Sequence, residues 1–259
     1  MLQYPKCYWL WNHRLWLLEQ ASELLPQDVA QKLWREELGL VSKMLNRDRR
    51  NFHGWSYRRR VIASLEALSN HNSEEPEATE QQEESLVEQE FAYTTKMIRS
   101  DLSNFSAWHN RSKLIPRLLD ERQADEKARR KMLDSEFELA QNALLDPVDQ
   151  SPWFYHQFLI STLLPSTARE ARIVQDVDNA MRLHYLEQEI TAIKEMVEDS
   201  ADCKWVYQAL LLYSEMYLDV EAGNKFITTS EMQDWLRALQ KLDTLRKRKW
   251  DDWAAKLGL

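Results

Sequence analysis

Asn51-Phe52-His53-Gly54-Trp55-Ser56-Tyr57-Arg58 is the stretch that decides the fold, because its arrangement of residue types returns along the chain. The pattern is a small polar residue, usually an aromatic residue next, two further residues, a tryptophan, two more residues and an arginine. Successive copies are 44, 53 and 45 residues apart, and a fifth, weaker copy follows after another 52 residues. They centre on Trp11, Trp55, Trp108, Trp153 and Trp205. Recurrence of this kind indicates a repeat protein.

Each part of the pattern has a physical role in a helix. Asn51, Asn104 and Asp149 stand where an N-cap residue would, with side-chain oxygens that can accept hydrogen bonds from the first free amides. The tryptophan and the basic residue three positions later share one helix face, so the indole can fill a gap between helices while the cation reaches oxygens of a neighbouring helix. We therefore predict structural roles for four pairs: Trp11 with Arg14, Trp55 with Arg58, Trp108 with Arg111, and Trp153 with His156.

A second apolar-periodic segment lies before each later copy of the motif, at 37–45, 90–98, 136–145 and 189–197. All four segments begin with glutamate, which predicts that helices start there, with the carboxylate at the positive end of the helix. Each repeat is then a helical hairpin, and hairpins must stack on neighbours to bury their apolar faces. The sequence predicts an all-α fold, an α-α superhelix or solenoid of about five helical hairpins, as a single domain over 1–259.

One region has no apolar period. Residues 71–90 carry eight glutamates and no lysine or arginine. We expect a flexible, solvated acidic loop at 71–85, which lengthens the 53-residue interval between two copies of the motif.

Composition excludes several classes of protein. Four glycines and seven prolines in 259 residues are too few turn residues for a many-stranded fold. The formal net charge of −8 repels nucleic acid and anionic membrane surfaces, so an anionic ligand would need a local basic patch. No apolar run approaches the about 18 residues of a membrane-spanning helix. Two cysteines, Cys7 and Cys203, and the absence of a signal-peptide pattern at the start favour a cytoplasmic protein.

Motifs for independent catalysis are missing from the sequence. The histidines of the motif copies lie in different repeats without metal-ligand spacing, so we expect no metal site in this chain: His13, His53, His109 and His156. There is no glycine-rich phosphate loop and no nucleophile elbow. One basic set could bind phosphate or could pair with acidic residues: Arg47, Arg49, Arg50, Arg58, Arg59 and Arg60.

The repeated motif resembles the repeat of protein prenyltransferase alpha subunits, over nearly the whole chain from Pro5 onward. Its intervals exceed the about 34 residues of a tetratricopeptide repeat, which is the less specific alternative. The segment Asp146-Pro147-Val148-Asp149-Gln150-Ser151-Pro152-Trp153-Phe154-Tyr155-His156 is similar to the type II branch, which acts on Rab GTPases. Phe52 agrees with that branch, since farnesyltransferase-type subunits typically have tyrosine there.

The resemblance implies a heterodimeric enzyme whose beta subunit holds a catalytic zinc and the lipid pocket, with no cofactor in this chain. The reaction would transfer geranylgeranyl from its diphosphate, bound at the subunit interface, to C-terminal cysteines of Rab GTPases presented by a Rab escort protein. Lys6 matches the lysine of a Pro-Lys-x-Tyr motif that helps to neutralise the diphosphate leaving group. Tyr8, Asn51, Phe52 and His53 match positions at the interface or near the substrate.

Two alternatives remain open at this point. The chain could be a non-catalytic helical-repeat scaffold of the same superfamily, or the alpha subunit of a farnesyl or type I geranylgeranyl transferase. The family normally has a further repeat before the Pro-Lys-x-Tyr motif, and this sequence begins almost on top of it, through truncation or loss of a hairpin. We then expect uncovered apolar surface at Leu10, Leu15, Trp16 and Leu18.

Overall fold

The computed structural model describes residues 4–70, 85–221 and 226–259. Within these ranges the chain forms α-helices and two short 3-10 turns, Arg169–Ala171 and Thr244–Arg246, and no strand. This confirms the predicted all-α class. The helices are α1 Tyr8–Leu24, α2 Gln27–Arg47, α3 Phe52–Asn70, α4 Leu86–Ser100, α5 Phe105–Glu121, α6 Glu126–Ala143, α7 Gln150–Ser161, α8 Asn179–Glu195, α9 Lys204–Val220, α10 Thr229–Leu242 and α11 Lys247–Leu257.

The chain divides into two compact units, 1–114 and 115–259. In the first unit, α1 packs on α2 and α3, and α2 packs on α3. In the second unit, α6 packs on α7, α8 on α9, α9 on α10, and α10 on α11. Consecutive helices therefore pair within each unit, as expected for helical hairpins.

A tryptophan hydrogen bond marks each of the first four copies of the motif. The indole N–H donates to the backbone carbonyl six residues earlier, at 2.8 Å in all four cases. The pairs are Trp11 with Pro5, Trp55 with Arg49, Trp108 with Leu102, and Trp153 with Pro147. Because the carbonyl belongs to the segment before the helix, the buried indole fixes the path by which the chain enters it.

The fifth copy is centred on Tyr207, and the prediction of Trp205 was wrong by two residues. Cys203 occupies the N-cap position of α9, and the Tyr207 hydroxyl, four residues later, donates to the carbonyl of Ala201 at 3.1 Å. That carbonyl is again six residues earlier, so a phenol replaces the indole in the same bond. Trp205 instead lies half-buried with its ring centroid 5.7 Å from that of Phe154.

The predicted caps are confirmed. Asn51 Oδ1 accepts from the Gly54 amide at 3.2 Å, and Asn104 Oδ1 accepts from the Ala107 amide at 3.2 Å. Asp149 Oδ1 accepts from the Ser151 amide at 2.9 Å. Each side chain satisfies an amide that has no partner within its own helix.

The glutamates of the second segments do not start helices, contrary to the prediction. Glu37, Glu90, Glu136 and Glu189 lie inside α2, α4, α6 and α8 and are buried. Burial of a carboxylate requires a donor, and the motif supplies it. Arg14 binds Glu37 through two bonds of 2.8 and 2.5 Å, and Arg58 binds Glu90 in the same way. Apolar periodicity located the segments, but these carboxylates bind side-chain donors within the fold and do not lie at helix starts.

The third and fourth copies use other partners as well. Arg111 Nη1 donates to the Thr95 hydroxyl at 2.8 Å, and its guanidinium lies 3.9 Å from the centroid of the Phe91 ring. His156 Nε2 lies 2.7 Å from Glu189 Oε2, and Nδ1 lies 2.7 Å from the Tyr213 hydroxyl. Burial, together with Glu189, raises the pKa of Tyr213, so the phenol keeps its proton.

Two further expectations concern the loop and the outer face of α1. The acidic loop at 71–85 lies outside the described residues except for Ser85, whose hydroxyl caps α4 by accepting from the Glu88 amide at 3.1 Å. Trp16 is exposed, as predicted, and Leu10 and Leu15 are half-buried. Leu18 is buried, because it lies two turns after Trp11 on the face of α1 that packs against α2 and α3.

Replacing Arg58 by methionine will lower the free energy of unfolding by about 3–5 kcal/mol, because Glu90 is left as a buried, unpaired carboxylate. The matched control is Arg60→Met, which removes an exposed pair with Glu19 at 3.6 Å and will cost about 1 kcal/mol or less. Urea unfolding followed by tryptophan fluorescence measures the free energy of unfolding of both variants. Equal losses in the two variants would contradict the structural role of the buried pair.

Candidate functional site

The segment before α1 is tied to the start of α3 through one carbonyl. The Pro5 oxygen accepts from the Trp11 indole at 2.8 Å and from Asn51 Nδ2 at 3.1 Å. The Asn51 side chain uses its other atom, Oδ1, to cap α3 through the amides of His53 and Gly54 at 3.1 and 3.2 Å. One asparagine therefore fixes both the helix start and the segment that carries Lys6.

A close approach of helices supports this junction. An added Cβ at Gly54 would lie 3.0 Å from Leu45 Cδ2, which is tighter than ordinary packing. Glycine lets the first turn of α3 lie directly against the last turns of α2. This contact brings Asp48, the C-cap residue of α2, beside the same segment.

Lys6 projects from this junction into solvent. Its side chain is 73% exposed, and Nζ lies 3.9 Å from Asp48 Oδ2. An exposed pair at that distance is weak and screened by salt. The ammonium is consequently aimed by a fixed backbone and remains available to a stronger anion.

Aromatic side chains surround the lysine. Tyr8 and His53 approach with ring centroids 6.4 Å apart, so the first turns of α1 and α3 meet here. Tyr8 is 55% exposed, Trp9 76% and Phe52 67%. Neighbouring exposed aromatic residues on a monomer mark a surface that another molecule covers.

The five residues predicted for the site differ in the contacts that they can make with a ligand. In the structure Asn51 binds the carbonyl of Pro5, the residue before Lys6, and the His53 ring lies near the rings of Tyr8 and Phe52. Asn51 is buried, and its amide faces the Pro5 carbonyl, so it positions Lys6 and is not presented to a ligand at the surface. The Phe52 ring can contribute apolar contact but no hydrogen bond.

The basic set divides into paired and free members. Arg58 pairs with Glu90, Arg59 Nη1 donates to Asn110 Oδ1 at 3.0 Å, and Arg60 lies near Glu19. The remaining members are exposed and form no ion pair with an acidic residue in the described part of the chain: Arg47, Arg49 and Arg50. Arg47 is the last residue of α2, and Arg49 and Arg50 follow in the link to α3, on either side of the Asp48 that lies near Lys6.

Asp48 is the member of the site that sequence reasoning missed. The position of Asp48 in the sequence was informative, because this residue lies within the short polar link between α2 and the Asn51 cap. A carboxylate among several arginines has many possible partners, however, and its pairing with Lys6 depends on the fold of the segment before α1.

The described ranges contain neither a metal centre nor a membrane-spanning helix. No group of three or more histidine, cysteine, aspartate or glutamate side chains is placed to hold a metal ion. No helix there combines the length and apolar character needed to cross a membrane.

Comparisons with known proteins agree with the repeat. The family described as "Protein prenyltransferase alpha subunit repeat" matches residues 1–21, 34–65 and 87–118. A Candida albicans protein named "Geranylgeranyl transferase type-2 subunit alpha" is 33% identical over 281 aligned positions, covering 96% of this chain and 69% of the relative. The Saccharomyces cerevisiae protein of the same name is 31% identical, covering 95% and 68%. The Rattus norvegicus protein of that name is 37% identical over 62% of this chain and 24% of its own length.

Asn51→Asp will free the segment that carries Lys6. Aspartate keeps the oxygen that caps α3 but loses the N–H that binds the Pro5 carbonyl, a loss worth about 1–3 kcal/mol at a buried site. We expect faster hydrogen exchange at the Cys7 amide, which bonds to the Tyr4 carbonyl at 3.1 Å. The control is Asn104→Asp, because Asn104 caps α5 in the same way while its Nδ2 has no partner. Unchanged exchange at Cys7 in Asn51→Asp would show that the asparagine does not hold this segment.

Proposed function

Because the chain belongs to the protein prenyltransferase alpha subunit family, we propose that it works as the alpha subunit of a type-2 geranylgeranyl transferase. The similarity to two fungal subunits of that name, over at least 95% of this chain, carries the proposal. The subunit is active only in complex with a beta subunit. The beta subunit would complete the active site at the exposed aromatic and basic surface around Lys6.

The substrates follow from this role. The lipid donor is geranylgeranyl diphosphate bound at the subunit interface, and the acceptors are C-terminal cysteines of Rab GTPases, delivered by a Rab escort protein. In this proposal the beta subunit holds a zinc ion, which would keep the acceptor cysteine as a nucleophilic thiolate.

Lys6 is the catalytic residue of this subunit. The acceptor sulfur forms a thioether bond to the first carbon of the lipid while the bond from that carbon to the diphosphate oxygen breaks, and negative charge grows on the diphosphate. A positioned ammonium stabilises that charge more in the transition state than in the ground state. Asp48 is 3.9 Å from Nζ and is displaced by the more highly charged diphosphate. Arg49 and Arg50 supply further positive potential.

The other site residues have supporting roles. Tyr8 and Phe52 offer exposed rings to the beta subunit or the lipid, and His53 packs against both rings. Asn51 holds the Pro5 carbonyl and with it the direction of Lys6. The compartment is the cytoplasm, in keeping with two free cysteines, of which Cys203 is buried.

Co-expression with a beta subunit of the same family tests the function. We expect a stable one-to-one complex by size-exclusion chromatography with light scattering, and lipid transfer to a Rab protein bound to its escort protein. A complex without transfer would favour the non-catalytic scaffold. A chain that stays alone would contradict the subunit assignment.

Lys6→Ala will lower kcat/KM by a factor that corresponds to about 2–4 kcal/mol of lost transition-state stabilisation, as expected when one preorganised charge-stabilising group is removed. The matched control is Lys43→Ala, which removes an exposed lysine of α2 and will leave transfer unchanged. Both variants must form the heterodimer equally well. Wild-type turnover in Lys6→Ala would remove the lysine from the mechanism.

A further inference from the structure

A compact basic surface lies far along the chain from Lys6, at the start of α11. We define the basic tip as Leu245, Arg246, Lys247, Arg248 and Lys249, which follow one another in sequence and are all exposed. Leu245 is 98% exposed, the highest value among the exposed large apolar residues of the described chain. Four consecutive bases are unusual in a protein of net charge −8.

The tip lies at the start of α11, which packs against neighbouring helices. Trp250, the next residue, is completely buried, and the Trp253 indole donates to Glu215 Oε2 of α9 at 2.9 Å. Gln240 of α10 donates to Asp251 Oδ1 at 2.7 Å. These contacts hold α11 against α9 and α10, and they leave its first residues at the surface.

The positive charge of the tip is only partly balanced. Asp243 is shared between Arg246 Nε at 3.9 Å and Lys204 Nζ at 3.4 Å, and Asp251 and Asp252 lie one turn along α11 from Lys247 and Arg248. The other three bases form no ion pair with any described acidic residue: Lys247, Arg248 and Lys249. Burial of its ammonium, followed by repulsion from Arg246, lowers the pKa of Lys249.

The helix itself adds to this potential. The start of a helix carries partial positive charge, and acidic or capping side chains normally occupy it. Here bases occupy it, and the N-cap residue Arg246 makes no side-chain cap. This arrangement is unfavourable for the isolated chain and becomes favourable when anions cover the tip.

We propose that the basic tip binds the anionic headgroups of a membrane surface, with Leu245 entering the headgroup layer. Clusters of at least four lysines and arginines beside an apolar side chain are typical of peripheral attachment to acidic lipids. A folded protein partner would need a broader apolar contact than one leucine at a convex helix end. The overall negative charge does not prevent contact, since charges beyond about 8 Å are largely screened at physiological salt.

The proposal goes beyond the transferase assignment and does not depend on it. The tip contains no residue of the candidate site. Failure of lipid binding would therefore leave prenyl transfer untouched, and failure of transfer would leave lipid binding untouched.

Vesicle co-sedimentation of the full chain tests the proposal. We expect binding to vesicles of phosphatidylcholine and phosphatidylserine, and none to phosphatidylcholine alone. Binding will fall when salt rises from about 0.1 M to about 1 M, because the screening length shortens from about 10 Å to about 3 Å. The double variant Lys247→Gln/Arg248→Gln will bind roughly tenfold more weakly or worse, since each base near the surface contributes substantially to attachment.

The matched control is Lys127→Gln/Lys131→Gln, which removes the same charge from exposed positions of α6 and will bind within about twofold of wild type. Leu245→Ser tests the apolar contact without changing charge, and it will weaken binding to the acidic vesicles. Thermal unfolding by circular dichroism must be unchanged in all variants, as expected for fully exposed side chains. Equal loss in the tip and control variants, or no binding to acidic vesicles, would overturn the proposal. Binding of an acidic peptide by the tip without vesicle binding would overturn the lipid assignment in favour of a protein partner.

Discussion

A single hydrogen bond, from a buried aromatic side chain to the carbonyl six residues earlier, supports every repeat that the motif identifies. Without it the chain could enter each second helix along many paths, because the preceding links are short, polar and poor in hydrophobic anchors. With it, the N-cap residue, the aromatic donor and the basic residue three positions later are set in one fixed relation. In the first, second and fourth copies the basic residue then contacts a buried glutamate, so one short stretch of sequence supplies both the start of the helix and a contact with its neighbour.

The candidate site is built around the first copy of this aromatic-to-carbonyl hydrogen bond. In the first copy the accepting carbonyl belongs to Pro5, and it also accepts from Asn51 of the next repeat. Two repeats thereby hold the residue next to Lys6, although the lysine side chain itself has only a weak partner. A flexible side chain on a rigid backbone suits the capture of a leaving group, because the ammonium can follow the charge while its anchor stays in place.

Much of the fold and of the candidate site could be predicted from the sequence, and individual residues show why. Asn51, Asn104 and Asp149 were recognisable as caps because capping needs only local geometry. The placing of Tyr8 and His53 at one site followed from the resemblance to the family. Features that depend on the partner of a contact could not be predicted. Glu37 and Glu90 look like helix-start residues until the arginines that bind them are seen. Asp48 has no distinctive context until Lys6 lies beside it. Leu18 was misjudged for the same reason, since burial is a property of the neighbours.

The fifth repeat shows how far this construction can change. Tyr207 keeps the bond of the earlier tryptophans with a different ring, a different donor atom and a cysteine at the cap. The feature that the five copies share is the position of the hydrogen-bond donor. The matched repeats of the family model end at residue 118, whereas the same bond recurs in α7 and α9. Repeats of this kind are therefore better located by the positions of hydrogen-bond donors than by the tryptophans that first reveal them.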